Sequence, residues 1–309
     1  MYFITAISSI TCQESFQQES LYHNLVPARQ GQEIPLPNYK DFLPANQLRR
    51  LSPVLKNAIT AATDCFQQSG KPFDAIVIGT SLGCLTDTEK FLIAISSSDS
   101  EVFSPTSFIQ STHNTIAGQI SLMMANHSYN MTHTQNSLSF EAALLDAMLC
   151  IDEGKAHVLA GAADEYIPFM NELDTLFTRQ DVPFTSGTSM FCLSGERHPG
   201  GIYIAQAALH CMENDIEGKI AAFLCAGNGG KDLDLVLYSG ICPQGITAAS
   251  MMDYTVYSGF YFSNASFALH LAHDYLQDTE SGGERKRVLI VNNLNPRNLG
   301  LILVEKYGA

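Results

Sequence analysis

Basic side chains are scarce in this 309-residue chain: 17 Lys and Arg stand against 31 Asp and Glu, a formal charge of −14. Nucleic-acid binding draws much of its free energy from cations meeting phosphate; here that term is repulsive, so DNA or RNA is not an expected partner. Close cysteine pairs are missing too. The eight cysteines, at 12, 65, 84, 150, 192, 211, 225 and 242, lie far apart and mostly inside apolar stretches. That excludes a zinc ribbon or a disulfide-stapled module, implies no metal, and suits small core residues in a reducing, cytoplasmic compartment. No apolar run approaches the roughly 18 to 20 residues of a membrane span. The opening MYFITAISSITC carries no Lys or Arg ahead of its apolar run, so it predicts a first strand; Cys12 leaves a lipoprotein-type segment as the alternative.

What is present is core-forming. With 46% hydrophobic and 16% charged residues, the chain can bury one large domain or two closely packed halves. Residues 13–45 are polar and Pro-bearing and read as loops. Ser52 as cap, Pro53 at the first helical position and Leu55, Ala58, Ile59, Ala62 and Phe66 on one face predict a helix ending at Gly70. The run FDAIVIGTSLG then reads as a strand, a glycine turn and a helix from about Asp87. Further on, a helix is expected over Ser139–Glu153 and buried strands over Ala156–Gly161, Ser189–Leu193 and Gly201–Ala205. A strand is also expected at residues 219–225, a helix from Phe260, and a last strand pair after the charged loop DTESGGERKR. Such alternation specifies a layered α/β fold, with no short repeat and no linker between independent domains.

GTSLG, Gly79 to Gly83, fits the G-x-S-x-G turn that presents a nucleophilic serine after a strand, which makes Ser81 a hydrolase candidate. The competing reading is a glycine-lined turn and nothing more, because no oxyanion-loop glycines precede it and no Asp and His follow in convincing order.

Two longer stretches are more specific. FSPTSFIQSTHNTIAGQISL (103–122) and TQNSLSFEAALLDAMLCIDEGKAHVLAGAADE (134–165) resemble the pre-nucleophile and nucleophile segments of the beta-ketoacyl synthase family. There a strand delivers a reactive cysteine to a helix N-terminus whose free N–H groups lower its pKa. The resemblance runs from the first strand to the last, thinner after residue 195. It implies a thiolase-like layered αβαβα fold of two topologically similar halves, an N-terminal half over 1–195 and a shortened C-terminal half over 196–309, packed as one globular unit.

The resemblance also places the family's catalytic positions. The cysteine position falls on Ser137, with Asn136 as the register alternative. The first catalytic histidine corresponds to Asn228 or Gly227, and the second to Tyr254. Residues 291–306 take the place of the family's glycine-rich final turn, without the glycines. Loss of the whole Cys-His-His set implies loss of condensing chemistry, and no cofactor is implied. His113 and Phe140 are candidate substrate contacts, while His113 and His133 are the histidines to weigh as a base for Ser137. His270 and His273, three apart on a helix, lack an apparent third metal ligand, and His157 and His210 read as packing or surface residues. Ser139, Glu141 and Asp146 are expected to shape the helix start and its solvent face.

The expected function is a non-condensing subunit of fatty-acid or polyketide (aryl-polyene-type) synthesis, a chain-length-factor relative that shapes an acyl pocket. It would pair as a homodimer, or as a heterodimer with an active synthase. An acyl carrier protein, itself acidic, would need a local basic patch, and Arg49, Arg50 and Lys56 or Arg285 to Arg287 are the clusters available. The alternatives are an acyl transferase or thioesterase using Ser137, and the hydrolase built on Ser81, which would need a different fold.

Overall fold

A computed structural model describes residues 1–30, 32–97, 105–173, 182–226, 233–278 and 285–306. Its strands are β1 Tyr2–Ile10, β2 Ala75–Gly79, β3 Tyr129–His133, β4 His157–Asp164, β5 Gly187–Ser194, β6 Ile202–His210, β7 Leu233–Ser239, β8 Ala248–Asp253, β9 Lys286–Asn292 and β10 Leu299–Lys306. The helices are α1 Ala45–Leu48, α2 Pro53–Ser69, α3 Leu85–Ser97, α4 Pro105–Gln110, α5 Thr115–Met123, α6 Ser139–Asp152, α7 Ile216–Ala226, α8 Thr255–Ser258 and α9 Ala265–Asp278.

The sheet order is β3-β2-β4-β5-β1-β6-β10-β9-β7-β8. Numbered within each half, both sides of the β1/β6 seam read 3-2-4-5-1, so the topology is duplicated. At the seam Tyr2 pairs with Ile204 and Phe3 with Tyr203. The strands alternate their apolar faces, as a pleat buried on both sides must. In β2, Ala75 and Val77 face a central core while Ile76 and Ile78 face an outer one. The central core holds α6 (Phe140, Ala143, Leu144, Ala147) and α9 (Phe267, Ala268, Leu271) between strands of both halves. On the outer side of the N-terminal half lie α2 and α5, and on that of the C-terminal half lies α7. The five layers are therefore helix, sheet, helix, sheet, helix.

Most expected elements are present, with local corrections. Pro53 starts α2 and Gly70, at φ +62°, ends it. The Ser52 hydroxyl makes no cap bond and stays buried and unpartnered; only its carbonyl engages the helix, accepting from Lys56 N at 3.0 Å. Residues 219–225 are not a strand but the body of α7. The reason is local: the Asp215 carboxylate accepts the Gly218 N–H at 2.9 Å as an N-terminal cap, and Ile216, Ile220 and Phe223 then share one face against the sheet. The helix expected from Phe260 begins at Ala265, because Phe260 is held in a bridge with Phe184.

In the N-terminal half, β2 and β3 are joined through α3, α4 and α5. Their counterparts β7 and β8, also parallel, are joined by a helix-free loop over residues 240–247.

Candidate functional site

The centre of the molecule is the start of α6. Strand β3 ends at His133, and residues 134–138 turn into the helix through a 3-10 step at Asn136–Leu138. Gly79, at the end of β2, makes room for that first turn, since any Cβ there would strike the Ser139 carbonyl.

Ser137 is buried, 1% exposed. Its hydroxyl accepts from Asn298 Nδ2 at 3.3 Å, and its carbonyl accepts from Asn292 Nδ2 at 2.8 Å. The same Asn292 amide donates to Glu141 Oε1 at 2.7 Å, while its Oδ1 accepts from Ser239 Oγ at 3.1 Å and from Leu294 N at 3.2 Å. All four hydrogen-bonding positions of one buried amide are thus used, tying α6 to β7 and β9. Tyr254 is fully buried. Its hydroxyl lies near Ser239 and Glu141 without a well-formed hydrogen bond, and burial pushes its pKa far up. Ser137 and Tyr254 are therefore gathered around Asn292. Asn228 and Gly227 lie outside the described residues.

Neither partner of the Ser137 side chain and carbonyl is an imidazole. His133 Nε2 pairs with Asp146 Oδ2 at 2.8 Å, and Tyr129 shares that carboxylate. His113 packs against Gly83. Phe140 is fully buried in the central core with its ring 5.8 Å from that of Phe191. Among the described residues the hydrogen-bond partner of the Ser137 hydroxyl is the Asn298 amide and not an imidazole, and a serine hydroxyl needs an adjacent base to act as a nucleophile.

Glu141 corrects the expectation of a solvent-facing helix start. It is fully buried, with Oε2 unpartnered. Loss of water raises its pKa to about 7, partly offset by the Asn292 hydrogen bond. Gly300 in β10 clears the space it occupies, because a Cβ there would overlap the carboxylate.

Ser81 belongs to a second polar hub. Asp164 Oδ1, at the end of β4, accepts from Thr80 Oγ1 at 2.9 Å, Ser81 N at 2.9 Å and Leu82 N at 3.3 Å, and Oδ2 accepts from Ser263 N at 3.1 Å. Its neighbour Glu165 takes Thr86 N and Thr86 Oγ1, each at 2.9 Å. Two successive buried carboxylates thus fasten the glycine turn and the start of α3. The carboxylate bonded to the Ser81 N–H is engaged by three backbone N–H groups and the Thr80 hydroxyl.

Beyond α3 lies a cavity of about 460 Å³ lined by Leu85, Thr88, Glu89, Leu92, Ile93, Ile167 and Phe169. One wall is α3, and the other follows Glu165 along the chain. Among the described residues no group of three or more His, Cys, Asp or Glu side chains could hold a metal ion; His270 and His273 both contact the Asp274 carboxylate, at 3.5 and 3.3 Å. Of the basic clusters, Arg285 and Arg287 are bound to Glu305, and Lys286 to Asp234, which leaves Arg49, Arg50 and Lys56.

Asn292 and Asn298 had no distinct sequence signal apart from the density of asparagine in NNLNPRN (292–298), and Glu141 was singled out only for the helix start.

The duplicated 3-2-4-5-1 sheet with two helices between its halves defines a thiolase-like α/β protein of the ketosynthase type. A family model described as beta-ketoacyl synthase, N-terminal domain, matches residues 24–195, more than half of the chain, and the chain belongs to that family. No curated protein matches it in sequence. Among solved structures, the ishigamide ketosynthase/chain length factor aligns with TM-score 0.82 and 13% identity over 99% of each chain. A type II polyketide synthase complex, AntDE:AntF, an acyl-carrier protein with its ketosynthase bound to the hexaketide, aligns with TM-score 0.79 and 14% identity, again over 99% of each. The ketosynthase ApeO in complex with its chain length factor ApeC from Xenorhabdus doucetiae gives TM-score 0.62 and 15% identity over 97% of this chain and 98% of that one. At these identities the likeness is one of fold.

Proposed function

We propose that this chain is a non-condensing ketosynthase-like subunit that pairs with an active ketosynthase in fatty-acid or polyketide synthesis and contributes an apolar wall to the growing acyl chain. The observation that carries the reading is the chemistry at the start of α6. Condensation needs a thiolate and imidazoles to polarise a thioester carbonyl, whereas here a buried serine and tyrosine surround an asparagine already saturated with hydrogen bonds.

Support for pairing comes from the sheet edge. Strand β3 is the outermost strand of its half, and an edge strand offers unpaired N–H and C=O groups to a partner. Tyr129 and Met131 on it, Leu122 on α5 and Leu149 on α6 are all exposed apolar residues around that edge. Two of the similar solved structures are named as a ketosynthase with a chain length factor, so an active synthase of the same fold is the occupant we assign to this face. The cavity beside α3 has the size and apolar lining of a ligand site, and we assign it to the distal end of an acyl chain. An acyl carrier, if it touches this subunit, would meet Arg49, Arg50 and Lys56. We place the protein in the cytoplasm; among the described residues no helix is long and apolar enough to cross a membrane.

The test is co-expression with a ketosynthase of the same organism. The expected result is a one-to-one complex with condensing activity that depends on the partner's cysteine. Acyl–malonyl condensation by the purified chain alone would sink the proposal, as would failure both to associate with any synthase and to bind any acyl chain.

A further inference from the structure

We infer that the polar cavity beside the open edge of β1 is a binding site for a small aliphatic ammonium ion, held by the carboxylates of Asp274 and Glu19. None of its lining residues belongs to the cluster around Asn292, and the inference does not depend on how that cluster is read.

The cavity exists because the seam between the halves is short. Strand β1 pairs with β6 at Tyr2 and Phe3, and β6 then runs on with β10. Past Phe3 that edge of β1 has no strand beside it, and a bulge follows between Ile4 and Ala6. A side chain takes part of a strand's place: the Gln68 amide of α2 accepts the Ile7 N–H at 3.3 Å and donates to the Ile7 carbonyl at 2.8 Å. About 330 Å³ remains open along residues 4–7. One face of α9, with His270, His273, Asp274 and Gln277 at helical spacing, closes one side, and Gln18 and Glu19 of the loop after β1 close another.

Charge decides what such a cavity holds. Asp274 is 6% exposed. Its Oδ2 accepts the Leu21 N–H at 2.6 Å, and His270 and His273 stand 3.5 and 3.3 Å from its two oxygens. Burial works against its charge, but His273, His270 and the Leu21 N–H outweigh it and hold its pKa below the ordinary carboxylate value. Burial lowers the pKa of His270, so that ring is uncharged at neutral pH. Its Nδ1 is bonded to Ser9 Oγ at 2.9 Å, while its Nε2 has no acceptor closer than the Asp274 oxygen, too far for a good hydrogen bond. The lining residues thus bring two carboxylates, the exposed Glu19 and the buried Asp274, and no Lys or Arg. Lys306 Nζ lies against the Gln277 backbone carbonyl at 3.4 Å and is not among them. An ammonium group offers three donors and no acceptor, and its charge-assisted hydrogen bonds to carboxylate are about twice as strong as neutral ones. An anion would be repelled here, and a neutral polyol would leave the buried charge without a counter-charge. An organic cation is favoured over a metal ion because, among the described residues, no group of three ligating side chains could hold a metal.

The test is calorimetric titration of the full chain with putrescine in dilute buffer. Saturable one-to-one binding is expected, and none of butanediol, the diol of the same chain length. Glu19→Gln is expected to weaken binding at least about 5-fold and Asp274→Asn at least about 10-fold. Glu153→Gln, which removes an exposed charge at the C-terminus of α6, is expected to leave affinity unchanged. Glu19→Lys sets an ammonium group of the chain's own beside Asp274 and should abolish binding; since Glu19 is exposed, this variant decides the matter if Asp274→Asn does not fold. Equal weakening by Glu153→Gln and Glu19→Gln would mean general attraction to an acidic protein and overturns the inference. Absence of saturable putrescine binding, equal affinity for the diol, or undiminished binding by Asp274→Asn or Glu19→Lys overturns it as well.

Discussion

A carboxyl group whose burial outweighs the help of its partners reports itself through pH. Burial raises Glu141 from 4.5 to about 7, and Glu165 likewise to about 7. Between those values the folded chain keeps protons that the unfolded chain releases, so stability falls as pH rises through this window and levels off above it. The shift corresponds to about 3 kcal/mol for each group. Glu141→Gln keeps an acceptor for Asn292 and removes the titration. Urea unfolding is expected to show it no less stable than wild type near pH 5 and more stable near pH 8 by about 2 to 3 kcal/mol, with a shallower pH slope between; a slope equal to that of wild type would count against a buried, titrating Glu141. Asn292→Ala acts in the other direction. It strips partners from Ser137 O, Glu141 and Ser239 together and should cost on the order of 2 to 4 kcal/mol in the same measurement. At this scale the sequence was only partly legible. The nucleophile stretch could be placed to within one residue, at Ser137 or Asn136. The importance of Asn292 could not be read, because its hydrogen bonds join residues far apart in the chain, and Glu141 sits at a helix start where acidic side chains are commonly solvated.

Elements are positioned by a few polar anchors, and α3 is the clearest case. The Glu165 carboxylate takes both the N–H and the hydroxyl of Thr86 at the head of α3, whose side chains form one wall of the 460 Å³ cavity. Glu165→Ala is expected to weaken binding of a fluorescent fatty acid at least about 5-fold while leaving the far-UV spectrum unchanged, since the helix loses its anchor but not its own hydrogen bonds. Unaltered affinity would show that the cavity does not depend on that anchor. The edge strand β3 offers a second test. Met131→Lys combined with Leu149→Glu puts charge onto an exposed apolar face, and co-purification with the synthase should fall by an order of magnitude or more with the melting temperature nearly unchanged. Helices with a strong apolar stripe and terminal signals, such as α2 with Pro53 and Gly70, were readable in advance. The α7 segment was not, because IAAFLC looks like a buried strand until Asp215 is recognised as its cap.

Across the whole molecule, the duplicated topology means that neither half completes its own core. Helix α6, from the N-terminal half, packs on β6 and β10 as well as on β2 and β4, and α9, from the C-terminal half, packs on β1 and β5 as well as on β9. The sheet itself continues from β1 into β6. Alternating strands and helices made this layered class legible from the sequence. The exchange of helices between halves was not, because it depends on which face of each strand its neighbours leave open. Residues 1–195 expressed alone would leave the apolar inner faces of α6, β1 and β5 without their covers and the β1 edge unpaired. That fragment is expected to be insoluble or to bind a hydrophobic dye without a cooperative melt, whereas the full chain should unfold in one transition. Mixing fragments 1–195 and 196–309 during refolding should restore that transition, because the missing interactions are packing and strand pairing and not a covalent constraint. A cooperative melt from either fragment by itself would mean that the central helices are covered within one half, and that the two-fold repeat is a pair of domains and not a shared core.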